Sequence, residues 1–305
     1  MNDAWYTWHA FYAGLYLLAG VAFVGLAAWS AFGSRPTVEV ARGYFMQETG
    51  AYLDPSFLSN FDAWRSRSRR IHALSLLTVG VVLLLLSSHA EVSPIVVMAS
   101  LSSLIVLPES VGRLRAAGRE FVVPHGRGAV ARPRRVVLSD YVPVRDLVLT
   151  WSSVGIVVVI GVGALVRRHE MGVAGPIIVE GAAVIFGVAV FTAWFGWALC
   201  VRPTPAVDAS HLYLQDAWRA QALEQIHLQL RLSAFPFTAA ALDGAHDPVG
   251  LPLDIGLGIC AAAIALGSLF LQKQHFRKRL WPTLEPGQVL LPGEPVPPRQ
   301  VGATA

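Results

Sequence analysis

Apolar positions in this chain gather into continuous runs, bounded by polar, arginine-rich or proline-bearing stretches. The runs cover 11–32, 71–88, 94–107, 148–166, 176–200 and 255–271. Several approach the ~20 residues a helix needs to cross ~30 Å of hydrocarbon. A further stretch, 226–242, is marginal, because it carries Arg231 and has Pro236 in mid-run. A polar helix is expected before it, over 207–225. In the first polar loop, 33–70, the stretch FLSNFDAWRSR suits an amphipathic helix on a membrane surface. The segment 109–147 is the most basic part of the chain, and its valines permit a short strand or hairpin without requiring one.

Composition sharpens this picture. Hydrophobic residues make up 54% of the 305 and charged residues 14%. A soluble domain carries roughly a quarter charged residues, so water is not the main solvent of this chain. The net charge is +4, and the basic residues are nearly all arginines clustered beside apolar runs. Such placement belongs to membrane topology and to anionic lipid headgroups, and does not point to nucleic acid. Cys200 and Cys260 lie within or at the edge of apolar runs and show neither metal spacing nor an extracellular pair. The start, MNDAWYTWHAFY, lacks the features of a cleaved signal peptide, so the first span is expected to be retained. The stretch 282–305 is rich in Pro and Gly and is expected to be a disordered cytoplasmic tail.

Arginine and lysine mark cytoplasmic loops. With the uncharged-by-Lys/Arg start outside, the basic loops 33–70 and 109–147 fall inside, and HAEVSP falls outside. RRHE, with two arginines, is a minor exception. If 226–242 crosses, the loop GAHDPVGLPLD is outside and the basic QKQHFRKR is inside. Seven spans then satisfy every strong signal, with a cytoplasmic C-terminus; six spans, the alternative, would leave KQHFRKR outside.

An internal repeat supports seven. RPT (Arg35 to Thr37), DAWR (Asp62 to Arg65) and Ile71-His72 recur in order as Arg202 to Thr204, Asp216 to Arg219 and Ile226-His227. The expected organisation is an all-α polytopic helix bundle over 1–281. Repeat 1 covers about 11–115, a linker span 148–166, and repeat 2 about 176–281. This three-plus-one-plus-three arrangement, with the N-terminus outside, resembles that of the SWEET sugar transporters, whose repeats are parallel. The proline-glutamine signature of that superfamily is absent, so the resemblance implies architecture and no residues or substrate.

RPTPA followed by DAWRAQAL, residues 216–223, resembles a segment of uncharacterised multi-pass membrane proteins of high-GC Gram-positive bacteria. The resemblance covers about the second half of the chain and implies a bacterial plasma membrane. That group has no assigned activity, so it implies no chemistry.

Candidate site residues are few. Glu180, about a turn inside the fifth run, reads as a substrate or proton site or as an interfacial carboxylate favoured by the helix dipole. Arg231 reads as a gating charge or as one snorkelling to headgroups. Trp194 and Trp197 can stack on a ring-shaped solute or serve as packing anchors. In the outer loops, His89 with Glu91, His169 with Glu170, and His246 with Asp243 and Asp247 offer imidazole and carboxylate for a divalent ion, or simply face water. The lack of a carboxylate at mid-membrane argues against a proton pump. No phosphate loop, nucleotide fingerprint, nucleophile elbow or haem motif is present, which weighs against an enzyme without deciding it. No cofactor is implied. The leading expectation is a small-solute permease or transporter-like protein; the alternative is a non-catalytic scaffold or accessory subunit docking partners through basic loops.

Overall fold

A computed structural model describes residues 2–33, 36–87, 136–171, 174–201, 206–243, 275–284 and 288–294, with scattered positions in 97–115 and 256–264. The helices are α1 (Asn2–Phe32), α2 (Val38–Thr49), α3 (Leu58–Leu86), α4 (Leu138–Tyr141), α5 (Val144–Val166), α6 (Arg168–Met171), α7 (Ala174–Val201), α8 (Ala209–Leu232), α9 (Ala234–Asp243) and α10 (His275–Leu280). Among the described residues there is no strand, only one isolated bridge between Ala51 and Leu290. Among the described residues, four helices are long and apolar enough to cross a membrane: Ala10–Phe32 within α1, α3, α5 and α7. The shorter two are 23 residues long, about 34 Å at 1.5 Å per residue. The expected spans at 94–107 and 255–271 fall outside the described residues apart from scattered positions.

α1 and α3 pack along each other as an antiparallel pair. Gly20 and Gly80 set how closely. A Cβ on Gly20 would lie 2.7 Å from Leu84 Cγ, and one on Gly80 would lie 3.0 Å from the Gly20 carbonyl oxygen. Two small residues therefore let the backbones touch, the usual device of helix pairs in lipid. Tyr16, Val79 and Leu83 close the seam.

The second assembly is built on α5. α7, α8 and α9 all pack against it, and α4 and α10 close one end over α8. α2 and the start of α3 lean on the same end through Phe45, Phe61 and Trp64, which meet Trp218 of α8. α2 starts at Thr37, whose hydroxyl accepts the Val40 N–H, and stops at Gly50, held at φ 70°. That left-handed turn suits glycine, and a Cβ there would also meet the Arg277 guanidinium at 2.5 Å.

Several boundaries differ from those expected. The proposed surface helix FLSNFDAWRSR and the second apolar run form one continuous helix, α3. The fourth run starts earlier, at Val144, drawing Arg145 and Asp146 into α5. The polar helix and the start of the marginal run are likewise one helix, α8, which ends at Leu232. Pro236 explains that end. It has no N–H for the Leu232 carbonyl, and its ring would strike it. At the third position of α9 the same proline is tolerated. In the stretch 282–305, expected to be a disordered tail, Leu284 and Leu290 are buried, as is Trp281 just before it, while 291–294 are exposed; 295–305 lie outside the described residues.

Candidate functional site

α8 is a polar helix enclosed by apolar ones. Seventeen of its 24 residues are buried, among them His211, Gln215, Asp216, Arg219, His227 and Arg231. Asp208 caps its start, accepting the His211 N–H at 2.8 Å and the Ser210 hydroxyl at 2.8 Å. The Gly293 N–H approaches the other Asp208 oxygen at 3.3 Å. Burial raises the Asp208 pKa, but these hydrogen bonds outweigh it and hold the carboxyl below its usual value.

Two polar clusters lie along α8. In the first, Asp216 accepts the Tyr141 hydroxyl at 3.0 Å and the Trp281 indole N–H at 2.8 Å. Tyr213, one turn earlier, donates to the Thr49 carbonyl at 2.9 Å and packs edge-on against Trp281. Burial pushes the Tyr213 phenol up to about 12, against the pull of Arg277. Arg277 itself donates to the Gln288 carbonyl at 2.8 Å. On α4, Asp140 accepts the Val137 N–H at 3.0 Å and faces Arg279 at 3.7 Å. This cluster fastens α4, α8, α10 and the tail to one another.

The second cluster is the candidate site. Asp146, Thr150 and Ser153 form a stripe on α5 at spacings of four and three, and Glu224, His227 and Arg231 form one on α8 at three and four. Such spacings put each set on one helix face. Ser153 donates to the Arg231 carbonyl at 2.9 Å, and the Thr150 hydroxyl lies 3.3 Å from His227 Nδ1, so the two helices run side by side in the same direction. The stripe on α5 runs from Asp146 to Ser153, about 10 Å of helix. Arg231 is 1% exposed and its Nη1 sits 3.0 Å from Asp146 Oδ1. Arg145 approaches the same oxygen at 3.3 Å from the surface side.

The cluster holds more polar capacity than its own members use. Glu224 Oε1, His227 Nε2 and Arg231 Nε are buried with no hydrogen-bond partner. Leaving such groups unpaired costs roughly 1–3 kcal/mol each. Burial first, then the neighbouring charges of Asp146 and Glu48, push the Glu224 carboxyl up to about 8, with Arg231 pulling the other way. Glu48 reaches this edge from α2, where it accepts from Gln221 at 3.4 Å.

Of the residues singled out by sequence, Arg231 lies at the centre of this cluster. Glu180, Trp194 and Trp197 lie on α7 and are exposed, the two indoles at 61% each, and none of them joins it. His169 and Glu170 are exposed on α6. His89, Glu91, His246 and Asp247 lie outside the described residues, as does the Asp243 side chain. Among the described residues no three His, Cys, Asp or Glu side chains converge on a metal position. Sequence reasoning missed Asp146, Thr150, Glu224 and His227 as a set. It placed both carboxylates in polar flanks, whereas the helices carry Asp146 and Glu224 into the packed assembly near one end of α5.

The two DAWR words meet in space. Trp64 and Trp218 touch edge to face, with ring centroids 4.3 Å apart. Comparison with family models, with curated proteins and with solved structures found no match.

Proposed function

We propose that this is a multi-pass membrane protein of the permease or transporter-like kind, with its solute path along the α5–α8 seam. One observation carries the reading: charged and titratable groups from two helices, buried Asp146, His227 and Arg231 with partly buried Glu224, gather with unused hydrogen-bonding atoms. Ionisable groups kept inside a helical membrane bundle are costly and mark solute or ion paths. The outward faces suit lipid: Leu18 on α1, Leu85 on α3, Val166 on α5 and Trp194 on α7 are all more than 60% exposed.

Seven spans, the repeat and a bacterial plasma membrane with the N-terminus outside belong to the same proposal. α9 packing on α5 beyond the end of α8 supports a crossing of 226–242, and the Trp64–Trp218 contact supports the repeat. The scaffold alternative draws on the basic loops and the tail. The packing of Trp281 and Leu290 into the chain's own core weighs against the tail as a free docking arm.

The first test is a single cysteine at Val249 in a chain lacking Cys200 and Cys260, probed on intact cells with an impermeant maleimide. Labelling is expected. Labelling only after the membrane is opened would leave six spans and remove the path. The second is a thermal-shift screen of the purified protein against sugars, amino acids and organic ions, followed by flux of each hit in proteoliposomes. A hit whose stabilisation and flux both vanish in His227→Ala is the expected result. Hits that stabilise Glu224→Gln and His227→Ala as well as the parent place binding elsewhere.

A further inference from the structure

A pocket of about 350 Å³ opens between α1 and α3, away from α5 and α8. Leu26, Trp29 and Ser30 line it from α1, and Arg69, His72 and Leu76 line it from α3. The spacings, 26, 29, 30 and 69, 72, 76, give one face of each helix. Because the helices are antiparallel, with Gly20 against Leu84, Leu26 lies level with Leu76, and Ser30 level with His72 and Arg69. The lining is therefore graded. Over roughly 10 Å of helix it passes from two leucines to a hydroxyl, an imidazole and a guanidinium. The leucine end faces the apolar bodies of the helices. The cationic end continues into the arginines at 65, 67 and 70. Trp29, 71% exposed, stands at the boundary, where indoles settle at a headgroup surface.

We infer that this pocket holds one phospholipid with an anionic headgroup, its phosphate between Arg69, His72 and Ser30 and its first chain carbons against Leu26 and Leu76. A guanidinium and an imidazole supply charge-assisted donors to phosphate oxygens. A soluble phosphate would use only the cationic half, whereas a lipid uses both ends. The general attraction of the neighbouring arginines to anionic lipid is unselective, while the pocket adds a fixed geometry. The inference rests on the membrane reading and not on the α5–α8 path.

The test is native mass spectrometry of the full chain in detergent, titrated with phosphatidylglycerol or phosphatidylcholine. One tightly held phosphatidylglycerol is expected. Arg69→Gln with His72→Gln is expected to weaken it about 30-fold, from roughly 1 kcal/mol for each of the two lost phosphate contacts. Arg67→Gln, which leaves the lining intact, is expected to leave binding unchanged. Ser30→Phe, which fills the pocket from α1 and keeps Arg69 and His72, is expected to expel the lipid, and it serves if the double variant does not fold. Equal losses in Arg67→Gln and the double variant would reduce the effect to a diffuse basic belt and overturn the site. So would equal retention of phosphatidylcholine, or displacement of the lipid by millimolar inorganic phosphate.

Discussion

The same four residues, Asp-Ala-Trp-Arg, occur twice in this chain and live in opposite surroundings. In α3, Asp62 is half exposed and faces Arg65 at 4.0 Å. Arg65 also reaches the Pro36 carbonyl at 3.4 Å. In α8, Asp216 is 1% exposed and holds two buried donors, and Arg219 is 7% exposed. Only the tryptophans share a fate, because they meet each other. A short word thus sets a local helix and one contact. What the word is worth is decided by the elements that pack on it, here α4, α10 and the residues after Leu280. The exposed pair belongs to a class worth ~0–1 kcal/mol, while the buried carboxylate leaves two donors stranded if it is lost.

The contrast can be broken at graded cost, read as thermal unfolding in detergent. Trp218→Ala is expected to cost ~3–5 kcal/mol, as large aromatic truncations in cores do. Trp64→Ala, at the half-buried partner, is expected to cost less, and a double-mutant cycle to give a coupling of ~0.5–1.5 kcal/mol. A coupling near zero would mean that the two words do not communicate. Asp216→Ala is expected to cost ~2–4 kcal/mol, because the Tyr141 hydroxyl and the Trp281 N–H lose their acceptor. Asp62→Ala should stay within ~0.5 kcal/mol of the parent. Equal losses at 62 and 216 would erase the distinction drawn here.

Glu224 sharpens the comparison by changing its sign. In the folded chain it keeps its proton up to about pH 8, whereas the unfolded chain releases it near 4.5. Between those values the native state binds the extra proton, so stability falls as pH rises, and it stays low above about 8. Glu224→Gln is therefore expected to melt with the parent near pH 4 and above it at pH 9, by up to a few kcal/mol. Identical melting at both pH values would mean that water reaches the carboxylate.

Helices were legible wherever lipid-like runs made them so, and four of those runs are α1, α3, α5 and α7. The interior polar seam was harder to read. Hydropathy weighs a window and discards direction, so Asp146 and Glu224 looked like flanking charges. The signal was present as phase: Asp146, Thr150 and Ser153 interrupt an otherwise apolar helix on one face, and Glu224, His227 and Arg231 answer it. Register between two helices 77 residues apart in sequence cannot be read from either alone. The packed tail was hidden for another reason. Proline and glycine lower regular structure, but Trp281, Leu284 and Leu290 still find apolar surface to bury.

The clasp of Asp208 on Gly293, and of Asp216 on Trp281, also sets a schedule. The partners lie 85 and 65 residues downstream. At roughly 5–20 residues per second on the ribosome, they are made several seconds after α8. During that interval Asp216 lacks the Trp281 N–H. A chain halted before Trp281 would present quality-control proteases with an α8 whose polar side is unsealed, while α1 and α3, whose mutual contacts are already complete, could have paired long before.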